Sequence, residues 1–141
     1  MAALELTFVD TNILVYAQDR SEADKQPRAR ALLEALWSTR TGCLSTQVLQ
    51  EFYVVATRKL SPALGRREAR EIVALYATWP LIQVDLPLIL DASELEERHQ
   101  LSFWDALIIE AARRAGATRL VSEDLQAGRS IAGVRIENPF A

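Results

Sequence analysis

The sequence predicts an α/β fold, a three-layer α/β/α sandwich in which helices cover both faces of a short, mostly parallel sheet of about five strands. Three observations predict it. Apolar runs of strand length recur along the chain. Between them lie segments whose apolar residues fall at i, i+3, i+4, i+7 and i+8, one face of a helix. Capping or chain-breaking residues bound these segments. Strands that alternate with amphipathic helices form a parallel sheet covered on both sides. Periodicity leaves the strand order open.

The elements follow in order. Leu6 to Val9 reads as a short buried strand that ends at Asp10. Ile13 to Ala17 is apolar again and receives no element, and Asp19 to Lys25 reads as a polar connector. Ala29, Leu32, Leu33, Leu36 and Trp37 form one helix face, with Pro27 suited to the first turn. Gly42 breaks that pattern, and Cys43-Leu44 makes a second strand. Ser45 or Thr46 can cap a helix from Gln47 to about Lys59, which stops before Ser61-Pro62. Its apolar arc is Val48, Leu49, Phe52, Val55 and Ala56, with Glu51 on the rim. Ala69, Ile72, Val73, Tyr76 and Ala77 mark the next helix, ended by Trp79-Pro80. Leu81 to Val84 is the third strand, and Asp85 caps a helix carrying Pro87, Leu88, Ala92 and Leu95. Ser102-Phe103-Trp104-Asp105 opens a helix that Gly116 stops. Leu120-Val121 is the fourth strand, ended by Ser122-Glu123-Asp124, and Val134 to Ile136 the fifth.

At 141 residues the whole span, 1–141, reads as one domain with a substantial core. No apolar run approaches the roughly 20 residues of a membrane helix, and MAALELTF lacks the marks of a signal peptide. One cysteine excludes an internal disulfide and fits the cytoplasm. Cys43 reads as a buried thiol, His99 as a solvated or capping residue, and the tryptophans and tyrosines as core. The net charge of −3 is not the basic signature of most nucleic-acid binders. A site that takes divalent cations, however, must carry excess acid.

Four acids carry the chemical signal. Asp10 and Asp124 follow strands directly, and strand C-termini in a parallel sheet share one edge, where ligands bind. Glu51 and Asp105 lie near the starts of helices delivered to that edge. Carboxylates brought together repel, and burying them is costly without a cation. Oxygen donors with no Cys or His among them suit Mg²⁺ or Mn²⁺, ions that most often work on phosphate. Each residue also has a simpler reading. Asp105 stands three after Ser102 and completes a capping box. Glu51 fits a solvated rim, Asp10 a cap, and Asp124 or Glu123 a loop surface. Asn12 and Ser122 can satisfy local backbone. Phosphate-binding glycine loops and a serine elbow are absent, and one His with one Cys makes zinc improbable. The basic pairs Arg58-Lys59, Arg66-Arg67 and Arg113-Arg114 read mostly as solvated helix faces.

Taken together, V-D-T-N at Val9 to Asn12, Q-E-F at Gln50 to Phe52, F-W-D-A-L-I at Phe103 to Ile108 and L-V-S-E-D-L at Leu120 to Leu125 resemble the PIN-domain family. The group most similar is the VapC-type toxins of bacterial toxin–antitoxin pairs. The resemblance implies a Mg²⁺- or Mn²⁺-dependent ribonuclease whose metal site is Asp10, Glu51, Asp105 and Asp124. It implies that Asn12 orients the first acid, and that Ser122 stands where the family often has Thr. It also implies a homodimer, a co-expressed antitoxin that covers the site, and RNA as substrate. Glu123 is an extra acid beside the fourth position. Two other classes compete. One is a PIN-like binding module without catalysis. The other is a Mg²⁺-dependent phosphatase or phospho-acceptor, for which Asp85 could serve, although Asn12 stands where a phosphatase wants a second Asp and no lysine follows Lys59.

Overall fold

The computed structural model describes residues 5–141. Its strands are β1 (Thr7–Val9), β2 (Gly42–Ser45), β3 (Leu81–Ile82), β4 (Arg119–Val121), β5 (Ser130–Ile131) and β6 (Val134–Glu137). Its helices are α1 (Thr11–Gln18), α2 (Lys25–Thr39), α3 (Thr46–Arg58), α4 (Arg66–Tyr76), α5 (Leu86–His99) and α6 (Phe103–Ala115). The six strands lie in the order β3-β2-β1-β4-β6-β5. All neighbours run parallel except β5, which pairs antiparallel with β6. No helix among the described residues is long and apolar enough to cross a membrane.

The α/β class and the mostly parallel sheet are as the sequence predicts. Two elements are additional. Asp10 caps α1, its carboxylate accepting from Thr11 N at 2.8 Å. With eight residues, α1 is too short to show a full helical period, and its apolar run TNILVYAQ hides the turn. The second addition is β5. It returns on β6 through Ala132 and Gly133, whose φ angles of 52° and 82° have the positive sign of a tight hairpin turn. Ala-Gly is not the usual sequence cue for such a turn.

Burial explains the layers. Phe8, Val9, Leu44, Leu120, Val121 and Ile136 are buried strand residues. α6 crosses one face of the sheet, touching β1, β2, β3, β4 and β6, and pairs with α5. Ala106 to Ala112 are all buried, and the small residues among them allow close approach to the strands. Buried Glu110 is held there by Arg113 and Arg114. Arg114 also reaches Asp91 at 2.6 Å and Asp85 at 3.4 Å, so the end of α6 meets the start of α5 in an antiparallel hairpin. α1, α2, α3 and α4 pack against one another as the other layer.

The aromatic residues divide. Trp37, Tyr76 and Trp79 form a cluster with ring centroids 4.9–5.4 Å apart. Cys43 is buried too, and burial pushes its thiol up to about 12, an inert state. Trp104 departs from the expectation of core: it is 66% exposed, because Phe103 takes the inward position at the start of α6.

Gly42 faces this aromatic cluster. A Cβ there would stand 2.5–2.7 Å from the Trp79 ring. Gly42→Ala therefore overpacks the strand, with an expected loss of about 2 kcal/mol, within the usual cost of added core volume. Urea unfolding should show a lower midpoint with an unchanged slope.

Candidate functional site

The site forms where the strand order reverses. From β1 the chain steps outward to β2 and β3, then crosses back to place β4 on the other side of β1. The crevice beyond such a switch point is the usual ligand site of an open parallel sheet. Val9 pairs with Val121, so the next residues, Asp10 and Ser122, come side by side. Ser122 Oγ donates to Asp10 Oδ2 at 2.7 Å, and Asp10 N bonds Val121 O at 3.1 Å. Asp10 is 8% exposed. Burial is the main reason its carboxyl is pushed up to about 6; the bonds from Ser122 and Thr11 oppose this, while the negative charges of Glu51 and Asp124 add to it.

Asn12 and Ser122 organise the loop after β4. Asn12 Oδ1 accepts from Glu123 N at 3.2 Å, and Asn12 Nδ2 donates to Asp124 Oδ2 at 3.1 Å. Ser122 Oγ also accepts from Asp124 N at 3.1 Å. The hydroxyl thus orients the first acid, while Asn12 orients the fourth. The two neighbouring acids point apart. Glu123 takes a 2.7 Å ion pair from Lys25 and a 2.6 Å hydrogen bond from Tyr16. Burial pushes the Glu123 carboxyl up, but those two donors outweigh it and hold it below the usual range. Asp124 stays exposed beside the crevice.

Asp105 follows its helix cap. Ser102 Oγ accepts from Asp105 N at 3.1 Å. Among the described residues no return bond runs from Asp105 to Ser102 N, so the capping box is one-sided. Asp105 lines a cavity of about 180 Å³ with Asp124, Ser102 and Arg129. Glu51 is exposed on α3 and close enough for its charge to act on Asp10. Among the described residues, none of Asp10, Glu51, Asp105 and Asp124 forms an ion pair with Lys or Arg, and no three Asp, Glu, His or Cys converge as a ready-made ion cage. Asp85, the alternative acceptor, caps α5 through Leu88 N at 3.0 Å and pairs with Arg114.

Two buried oxygens near this edge have no protein partner among the described residues: Thr11 Oγ1, next to Asp10, and Gln47 Oε1, one turn before Glu51. Oxygen donors, an uncompensated buried carboxylate and unpaired buried oxygens suit a hydrated divalent cation.

Residues 7–129 match the PIN domain family model. The chain belongs to the PIN-domain family. This PIN domain also resembles several solved structures. A toxin–antitoxin complex from Klebsiella pneumoniae superimposes with a TM-score of 0.69 at 19% identity, covering 94% of this chain and 97% of that one. VapC20 of Mycobacterium tuberculosis, a toxin that cleaves the sarcin–ricin loop, gives 0.62 at 24% identity, covering 81% and 86%. VapBC2 from Rickettsia felis, bound to a DNA fragment from its promoter, gives 0.62 at 22% identity over 94% and 98%. At these identities the likeness is one of fold. No curated protein matches the chain in sequence.

The basic pairs have separate fates. Arg113 pairs with Glu110 within α6, Arg114 reaches across to Asp85 and Asp91, and Arg67 pairs with Glu71 at 3.5 Å. Arg58 and Arg66, joined by Arg70, line a second cavity of about 310 Å³ with Tyr53 and Thr57. Sequence spacing does not pick out Arg70, because the three arginines meet only when α3 and α4 pack together.

The raised Asp10 carboxyl has a stability consequence. Its folded pKa lies above the unfolded value of 3.8, so its contribution is intact below pH 4 and is lost as the pH rises through about 6. Holding the carboxyl at about 6 in place of 3.8 costs about 3 kcal/mol at neutral pH in the metal-free PIN domain. Asp10→Asn should therefore raise the melting temperature of metal-free protein at pH 8 and leave it near wild type at pH 4. Thermal unfolding in chelator at the two pH values checks this.

Proposed function

We propose that this PIN domain is a Mg²⁺- or Mn²⁺-dependent endoribonuclease, the toxin of a toxin–antitoxin pair, that hydrolyses RNA phosphodiesters. The observation that carries the reading is Asp10: a buried carboxylate without a positive partner, at the switch point of the sheet, with Glu51 and Asp124 close enough to raise its pKa. Asp10, Glu51, Asp105 and Asp124 are the residues that would hold the ion. When bound, the ion supplies an acidified water and offsets the charge that builds on phosphorus. Ser122 and the Thr11 amide fix both oxygens of Asp10, so the carboxylate is set before substrate arrives. Asn12 holds one oxygen of Asp124. Arg129, held by Gln126, lines the Asp105 cavity and is the cation that would meet a phosphate there.

The wider surface supports the same reading. Arg58 lies seven residues after Glu51 on the same face of α3, about 10 Å along the axis. An RNA strand leaving the acids along α3 would meet the Arg58, Arg66 and Arg70 cavity. Exposed Leu86 and Leu90 on α5, and an apolar groove of about 670 Å³ between α3 and α4, offer surfaces for a second copy and an antitoxin. The cytoplasm is the compartment in which such a pair would work. A non-catalytic module is favoured by one observation, that no three acids converge as they stand among the described residues.

Cleavage of a mixed RNA pool in Mn²⁺ decides between them. Wild type should cut, chelator should stop it, and Asp10→Asn or Asp105→Asn should lower the rate at least 100-fold, on the order of the loss of one charge-stabilising group. Full activity in Asp10→Asn would overturn the assignment, and no Mn²⁺ binding by calorimetry would favour the binding module. Arg58→Ala with Arg66→Ala should weaken RNA binding uniformly across sequences and lower the salt slope by about 1 to 2.

A further inference from the structure

We propose that Lys25 and Tyr16 are positioning residues: they turn Glu123 away from the crevice and so decide which of two adjacent carboxylates can hold the ion. The proposal rests on the metal-dependent reading above and adds the residues that select the fourth acid of its site. Glu123 and Asp124 are neighbours in the loop after β4, and both end in the oxygen donors that a hard cation takes. Only one of them is turned to the crevice. Asp124 lines the cavity that holds Asp105, and Glu123 does not.

Glu123 is held elsewhere, through both of its oxygens. Lys25 Nζ stands 2.7 Å from Glu123 Oε2, and the Tyr16 hydroxyl donates to Oε1 at 2.6 Å. The holding groups are themselves fixed. Lys25 Nζ also donates to the Tyr16 hydroxyl at 3.4 Å, and it lies 4.8 Å from the centre of the Tyr16 ring and 5.8 Å from that of Phe140. The two rings meet edge to face at 5.1 Å, and Arg28 Nη1 donates to Phe140 O at 3.1 Å. Tyr16 lies one turn after Asn12 on the same face of α1. That face grips the loop twice: Asn12 takes the Glu123 amide and one Asp124 oxygen, and Tyr16 takes the Glu123 side chain. A partly exposed ion pair adds little to folding by itself. Its effect here is on orientation and charge. Without Lys25, Glu123 would join Asp10, Glu51, Asp105 and Asp124 as an acid with no positive partner among the described residues. It would be held by one hydroxyl, repelled by Asp124 beside it, and able to compete with Asp124 for the same cation.

Calorimetry of Mn²⁺ binding to the full chain tests this. With Lys25 in place, Asp124→Asn should weaken Mn²⁺ binding about tenfold, and Glu123→Gln should leave it within about threefold. Lys25→Met keeps the stem against the rings and removes the charge. In that background the order should change: Glu123→Gln should weaken binding about tenfold, and Asp124→Asn should cost less than it does beside Lys25. The lost positive charge favours any cation in every variant of that background alike, so each cost is read within its own background. Lys25→Arg should restore the wild-type order. A contact that only stabilised the fold would lower the melting temperature and leave the order as it was, and an unchanged order overturns the proposal. Amide exchange in metal-free protein keeps the two readings apart. Glu123 N and Asp124 N, bonded to Asn12 Oδ1 and Ser122 Oγ, should lose protection about fivefold in Lys25→Met and regain it in Lys25→Arg. If wild type binds no Mn²⁺ while Lys25→Met loses this protection, the metal reading falls and the positioning stands. Mn²⁺ binding with both order and protection unchanged in Lys25→Met removes the positioning and leaves the metal.

Discussion

The structure turns on one carboxylate that the fold buries and does not neutralise. Asp10 is placed by the parallel pairing of β1 with β4, which brings it against Ser122. Two hydrogen bonds and a helix N-terminus hold it, yet burial still dominates its titration. A fold selected only for stability would put an apolar residue there, since its neighbours Val9, Ile13 and Leu14 are all buried. The retained acid is a local conflict between stability and chemistry, and such conflicts mark functional sites.

The rest of the architecture supports that position. The chain crosses the sheet once between β3 and β4, through the α5–α6 hairpin, and this crossing brings the loop after β4 beside the loop after β1. α6 covers the sheet with its middle and carries Asp105 at its start. α3 begins at the same edge, directly from the end of β2, where Ser45 Oγ accepts from Val48 N at 3.4 Å. Three separate strand ends and one hairpin thus deliver four acids to one side of the molecule, although they are far apart in sequence.

Much of this is legible in the residues. Asp10 stands out because an acid amid apolar neighbours needs a reason. The long helices announce themselves through period and caps, and Ser45, Asp85 and Ser102 cap as their positions suggest. The hidden parts share a cause: they depend on contacts distant in sequence. α1 has too few residues to display a period, and β5 exists only because β6 returns beside it. Glu123 and Asp124 are chemically alike and adjacent, so only Lys25 and Tyr16, brought by α1 and α2, tell them apart. Trp104 escapes a sequence reading because helical spacing gives the face of a residue and not whether that face is covered.

The Lys25–Glu123 pair has a consequence for how ligands influence one another. With Glu123 balanced by Lys25, Asp10, Glu51, Asp105 and Asp124 are the acids at this edge without an ion pair among the described residues, and they would repel an incoming polyanion. On the proposed function, a divalent ion that lowered this repulsion would also favour the nucleic acid, and by reciprocity the nucleic acid would tighten the ion by the same factor. Ion and strand are therefore thermodynamic partners at such a site. A positive side chain placed among the acids would compete with the ion for them.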